Sequence, residues 1–217
     1  MSQRSISFTT GEFYHVYNRG NSKQVIFKDD DDYKRFQLLL KVSNNTESLS
    51  IDHRERTSND LYQDPIEEPL VAIAAYCLMP NHFHILLKPL VEDGVSQFMQ
   101  KLGTGYVMYF NKKYERTGSL FEGKFKAVWV DSDRYLKYLY AYIHLNPQKL
   151  FSVKTKSEHF EKVSQYPYSS YQDYCNKDSR REACILKTDI FPYSKTDESI
   201  HTDMKEWFLD RQGLSRM

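Results

Sequence analysis

The chain has 217 residues, of which 40% are hydrophobic and 15% aromatic, enough for one main domain with a sizeable core. Its 30 Lys and Arg against 29 Asp and Glu leave a formal net charge of +1, which excludes a global basic field and confines any nucleic-acid site to a local patch. Cys77, Cys175 and Cys184 form an odd set without metal-ligand spacing, and neither the start Met1 to Ile6 nor any later stretch has the apolar run of a membrane span. A soluble cytoplasmic protein with reduced thiols is therefore expected.

Glu12 to Tyr17 alternates large side chains and is closed by the turn residues Asn18 to Asn21, which predicts a first strand. Asp29 to Asp32 place acidic groups at the start of a helix running to Val42, as the helix dipole favours. Four consecutive carboxylates also look like a metal cluster, but on a helix they point in different directions. Residues 44–69 are polar and acidic, with Asp52, Glu55, Asp60, Asp64, Glu67 and Glu68, and read as a mobile loop insertion in which His53 is solvated surface.

Leu70 to Leu78 and His82 to Lys88 read as two strands joined at Pro80-Asn81. The period of two puts His82 and His84 on one face and Phe83 on the other, in the core. Such a His-x-His pair is either a metal site or a half-exposed polar face. A helix follows from Val95 to Tyr114, with an aromatic and methionine stripe that reads as core, and with Gly103 and Gly105 open to a close backbone approach. Lys112, Lys113, Arg116, Lys124 and Lys126 form the strongest local basic excess, a solvated surface or a phosphate-contacting patch. Phe125 to Val130 is a fourth strand. Asp131-Ser132-Asp133 caps a helix through Leu145, and Asn146-Pro147 ends it.

The order strand, helix, strand, strand, helix, strand predicts an α+β fold. It is a ferredoxin-like split βαβ antiparallel sheet with helices on one face, followed by a further helix and a C-terminal extension. Residues 1–150 form the main domain and 151–217 the extension. Tyr166 to Tyr171 and the amphipathic stretch around Trp207-Phe208 read as peripheral packing or a regulatory tail. In this topology the first and third strands are central neighbours, so His15 lies beside the histidine strand on a face the sequence leaves open. On the last helix Tyr142 and Asn146 share a face one turn apart. Two imidazoles and a carboxamide oxygen would leave a divalent ion fully charged with free positions, an arrangement suited to phosphodiester chemistry.

The segments Tyr14 to Gly20, Leu78 to Leu86, Gly118 to Lys126 and Tyr142 to Pro147 resemble, in that order, the HUH single-tyrosine transposases, in particular the REP-associated tyrosine transposases. The resemblance covers residues 10 to 150. It implies a metal-dependent endonuclease and strand transferase acting on single-stranded or hairpin DNA, as a monomer or homodimer. His82 and His84 would hold Mg²⁺ or Mn²⁺, with Asn146 as third ligand where related insertion-sequence enzymes have glutamine. Tyr142 would form a 5′-phosphotyrosine link. Arg19, Lys124 and Lys126 are candidate phosphate contacts, and Glu122 could orient water or a base. Tyr138 and Tyr140 read as core or stacking residues and His144 as structural. The rival readings are a DNA-hairpin binding protein without turnover and a zinc hydrolase built on His-x-His.

Overall fold

Strands Tyr14–Arg19 (β1), Val71–Met79 (β2), His82–Pro89 (β3) and Lys126–Trp129 (β4) form one antiparallel sheet in the order β2-β3-β1-β4. The computed structural model describes residues 7–47, 57–175, 180–190, 202 and 204–206. Residues Met1 to Ile6, the insertion residues Asp52, His53 and Glu55, and Trp207-Phe208 lie outside the described residues. As the split βαβ order requires, β1 and β3 are central neighbours.

Helices Asp30–Val42 (α1) and Gly94–Lys113 (α3) cover one face of the sheet. Phe36, Leu39 and Leu40 of α1 and Phe98, Leu102 and Tyr106 of α3 meet Tyr14, Val16, Phe83, Ile85 and Leu87 there. The aspartate run starts α1 as the dipole argument requires. Asp29 is the N-cap and accepts from the Asp32 amide, and Asp30 pairs with Lys34. Asp32 is buried, where it takes the Lys28 amide, Lys113 Nζ and the Tyr114 hydroxyl. Gly105 faces the Leu39 side chain of α1, which a Cβ would approach to 3.1 Å, so a side chain and not a backbone profits from this glycine.

Helix Asp133–Leu145 (α4) covers the opposite face together with Lys156–Ser164 (α5) and Tyr171–Cys175 (α6). With helices on both faces, β2 is buried at every position, which explains its unbroken apolar run. An irregularity between Ile73 and Ala75 shifts the strand by one residue. Tyr76 and Leu78 therefore reach the α1–α3 core while Cys77 and Met79 reach the α4 core.

Two segments differ from the sequence reading. The insertion holds a short helix, Ser58–Gln63 (α2), closed by a capping box between Thr57 and Asp60, with Leu61 and Tyr62 buried. Tyr166 to Tyr171, expected at the periphery, belong to the second core, and so does Tyr174 beyond them. Ser169 bridges Cys77, the Tyr166 hydroxyl donates to the Leu78 carbonyl at 2.7 Å, and the Tyr174 hydroxyl donates to the Ala74 carbonyl at 2.5 Å. Tyrosine suits this position because its ring fills the core while its hydroxyl takes up a carbonyl on the outer strand β2.

Candidate active site

His82 and His84 stand at the start of β3, directly after the two-residue turn Pro80-Asn81. The turn is held by its own carbonyls, with Gly20 N donating to Asn81 O at 2.8 Å and Ile26 N to Pro80 O at 2.8 Å. Gly20 is needed here because a Cβ would meet the Gln24 carbonyl at 2.2 Å. Strand alternation does the rest. Phe83 is 2% exposed and packs on Phe36 and Phe121, which turns its two neighbours to the α4 face. The imidazole centroids of His82 and His84 lie 5.1 Å apart at 86°.

Pairing of β1 with β3 sets Tyr17 opposite His84 and Arg19 opposite His82, so His15, Tyr17 and Arg19 emerge on the same face as the histidine pair. His15 Nε2 lies 2.8 Å from His84 Nδ1, and the two rings stack at 5.0 Å and 25°. His82 Nδ1 lies 2.7 Å from Asn81 Oδ1. With Nδ1 of both rings taken, Nε2 is the remaining lone-pair nitrogen of each, in the tautomers where Nδ1–H donates.

Helix α4 brings the tyrosine and the carboxamide. Ser132 caps its N-terminus by accepting from the Tyr135 amide, and Asn146 is its C-cap. The Tyr142 ring lies 5.5 Å from that of His84 and 6.3 Å from that of His15. Asn146 is 3% exposed and its carboxamide lies beside both His82 and Tyr142, yet Oδ1 is buried without a hydrogen bond of normal geometry. An unmatched acceptor in such a place is one a cation would satisfy. Among the described residues no three His, Cys, Asp or Glu groups converge as a metal site, so imidazole and amide donors are what the pocket offers.

Burial keeps this cluster neutral. It lowers His15 to about 4. It lowers His84 well below the ordinary histidine value, helped by the neighbouring His15, His82 and Lys149. His82 is also lowered by burial, with the Asn146 carboxamide opposing. The Tyr142 hydroxyl is raised by burial, again with Asn146 opposing. Lys149 and Arg19 both act electrostatically on His82 and lower it further, though the Glu122 carboxylate is paired with Arg19.

The structure thus brings together His82, His84, Tyr142 and Asn146, with Arg19 and Lys126 nearby on the same sheet face. Arg19 is engaged by both oxygens of Glu122. Lys124 lies elsewhere, lining a cleft with Phe8, Glu92, Ser96 and Gln100. Tyr140 and His144 face the second core, and Tyr138 stacks on Tyr142. Lys149 escaped the sequence reading. Its signal was its place three residues beyond the Asn146 cap.

A family model described as "Transposase IS200 like" matches residues 13–146. No curated protein matches the sequence. Among solved structures the chain is similar to one described as "Structure of the REP associates tyrosine transposase bound to a REP hairpin". The TM-score is 0.52 and the identity 16%, over 84% of this chain and 90% of that one, a likeness of fold.

Proposed function

Because the chain belongs to the IS200-like transposase family, we propose that it is a metal-dependent single-stranded DNA endonuclease and strand transferase, acting at DNA hairpins with Tyr142 as nucleophile. The observation that carries this reading is the Tyr142 ring 5.5 Å from His84, with the buried Asn146 carboxamide against both Tyr142 and His82. His82 and His84 through Nε2, and Asn146 through Oδ1, would hold Mg²⁺ or Mn²⁺; the engaged Nδ1 atoms and the unmatched Oδ1 fit that role. Such an ion, when bound, supplies positive charge to the scissile phosphate.

In the reaction the Tyr142 oxygen forms a bond to phosphorus as the bond from phosphorus to the 3′-oxygen breaks. The phenol gives up its proton and the leaving 3′-oxygen takes one up, so a 5′-phosphotyrosine and a free 3′-hydroxyl result. Attack by the 3′-hydroxyl of another strand reverses the step and joins DNA, because the phosphodiester linkage count is conserved throughout. Arg19, Lys126 and Lys149 would hold backbone phosphates around the site.

The test is a labelled hairpin oligonucleotide incubated with protein and Mn²⁺, resolved under denaturing conditions. The wild type is expected to carry a covalent label that Tyr142→Phe lacks. Equal labelling of the variant would overturn the assignment. Tight binding without any adduct would assign the chain to hairpin binding alone, a reading favoured only by the described hairpin complex of the structural neighbour.

A further inference from the structure

Three tyrosines, Tyr135, Tyr138 and Tyr142, recur on α4 at spacings of three and four, and each is half-buried. Their rings are nearly parallel. Tyr135 and Tyr138 lie 6.2 Å apart at 14°, and Tyr138 and Tyr142 lie 6.0 Å apart at 20°. The row ends at Tyr142, beside His84. Across from it Tyr17 of β1, also half-buried, stacks on His15 at 5.1 Å and is within electrostatic reach of both Tyr135 and Tyr142. Lys126 is exposed, pairs with Tyr17 across β1 and β4, and so shares this face.

Packing accounts for only part of the row: all three rings lie against the second core, yet each keeps part of its surface open. The same helix has a tyrosine for the core, Tyr140, which is 7% exposed and meets Tyr174 and His144 edge-on. The other three keep part of each ring open, in a line, at a spacing set by a helical rise of about 1.5 Å per residue. Bases stack on such rings whatever their sequence, and a row of rings takes successive bases only from unpaired strand, because interior base pairs of a duplex already have stacked neighbours on both faces.

We propose that Tyr135 and Tyr138, with Tyr17 opposite, form a stacking track for unpaired nucleotides next to the phosphate presented to Tyr142, with Lys126 contacting their backbone. This rests on the nuclease reading for the kind of ligand. It adds a positioning element that selects a single-stranded tail over duplex.

The test uses the full chain in a Tyr142→Phe background without metal, so that binding is read apart from cleavage. Fluorescence anisotropy follows a hairpin with a single-stranded tail. Tyr138→Leu and Tyr135→Leu are expected to weaken binding roughly 10-fold each, and Tyr138→Phe less than about 2-fold, in line with the usual range for base–aromatic stacking. Abasic sites in the tail should weaken binding to the Tyr142→Phe parent and abolish the difference between Leu and Phe at position 138. Equal affinity of the Leu variants and the parent overturns the track, as does an equal loss on a blunt hairpin without a tail. If a Leu variant is misfolded by circular dichroism, the abasic tail on the Tyr142→Phe parent decides alone, and unchanged affinity overturns the proposal. Loss of the covalent adduct in wild type would sink the nuclease reading while leaving tail-dependent binding to be read separately.

Discussion

His15 Nε2 and His84 Nδ1 lie 2.8 Å apart, a contact between two buried rings on adjacent strands separated by 69 positions in sequence. Both are held neutral by burial, so one donates and the other accepts. If His84 Nδ1–H donates, its Nε2 is left with a lone pair and its ring plane is set by His15. His15 is then a positioning residue. His15→Phe keeps the ring volume and removes the acceptor, and should weaken Mn²⁺ binding by roughly 10- to 100-fold, as outer partners of metal-bound histidines do. His15→Gln, which restores an acceptor, should recover part of it. Isothermal calorimetry with Mn²⁺ gives the affinity. An unchanged affinity in His15→Phe would show that the contact is packing only.

Phe83 carries a second expectation. Its ring fills the α1–α3 core against Phe36 and Phe121, and it is the anchor that turns both flanking histidines to the other face. Phe83→Ala should cost about 3–5 kcal/mol in denaturant unfolding. Phe83→Leu should cost much less and keep metal binding. If Phe83→Ala were as stable as wild type, the histidine pair would not owe its direction to this side chain.

Much of this arrangement was legible in the residues. Period-two alternation in His82-Phe83-His84 and the helical spacing of Tyr142 and Asn146 follow from local geometry, and the element order dictated that β1 lies beside β3. The face taken by His15 was not legible, because it depends on a register in which His15 opposes Leu86 and so follows the parity of His84. The role of Tyr166 to Tyr174 was hidden for a different reason. Tyrosine-rich polar sequence reads as surface, and only the carbonyls of β2 at Ala74 and Leu78 show where those hydroxyls go. Asn81 looked like turn chemistry alone, yet its side chain also takes the His82 Nδ1 contact.

Helix α4 is tied to the sheet through His144 and Ser170. His144 is fully buried, with Nε2 2.8 Å from Ser170 Oγ, and that oxygen also accepts from the Tyr76 amide at 2.9 Å. Ser170→Ala leaves two buried groups without their partner and should cost about 1–3 kcal/mol for each. Because α4 carries Tyr142, the variant should also lose covalent DNA labelling at temperatures below its own melting point. Thermal unfolding followed beside the labelling assay separates the two. Full labelling in a destabilised Ser170→Ala would mean that α4 stays in place without this link.

Asp173 makes stability depend on pH. Burial raises its carboxyl to about 7, against the opposing charge of Arg180, whose Nε lies 3.3 Å from Oδ1; Glu182 adds to the rise, and the Tyr76 hydroxyl, 3.4 Å from Oδ2, lowers it. An unfolded aspartate ionises near 3.8. Between these values the folded chain holds a proton that the unfolded chain has released, so stability falls as pH rises from about 4 to about 7 and is level above that. Asp173→Asn should flatten this slope. Urea midpoints measured from pH 4 to pH 8 for both proteins give the comparison, and parallel curves would reject the shift.

Arg19 and Glu122 form a two-pronged pair at the mouth of the site, with both side chains about half exposed at 45% and 40%. Exposed pairs of this kind add little to stability, and if Arg19 contacts phosphate as proposed above, Glu122 would act as a brake on it. The guanidinium lies on the strand position facing His82, where a phosphate of bound DNA would compete with the Glu122 carboxylate for it. Glu122→Gln removes the competing charge and keeps the shape. Melting temperature should stay within a degree or two, while affinity for single-stranded DNA rises. The salt dependence separates a direct phosphate contact from a general change in field. One further phosphate engaged by Arg19 should steepen the plot of log affinity against log salt by about 0.7. Arg19→Gln in the Glu122→Gln background should return the slope to that of wild type. A slope that stays constant through all three proteins would mean that Arg19 meets no phosphate and that the pair serves only to join β1 to the Gly118–Lys126 segment.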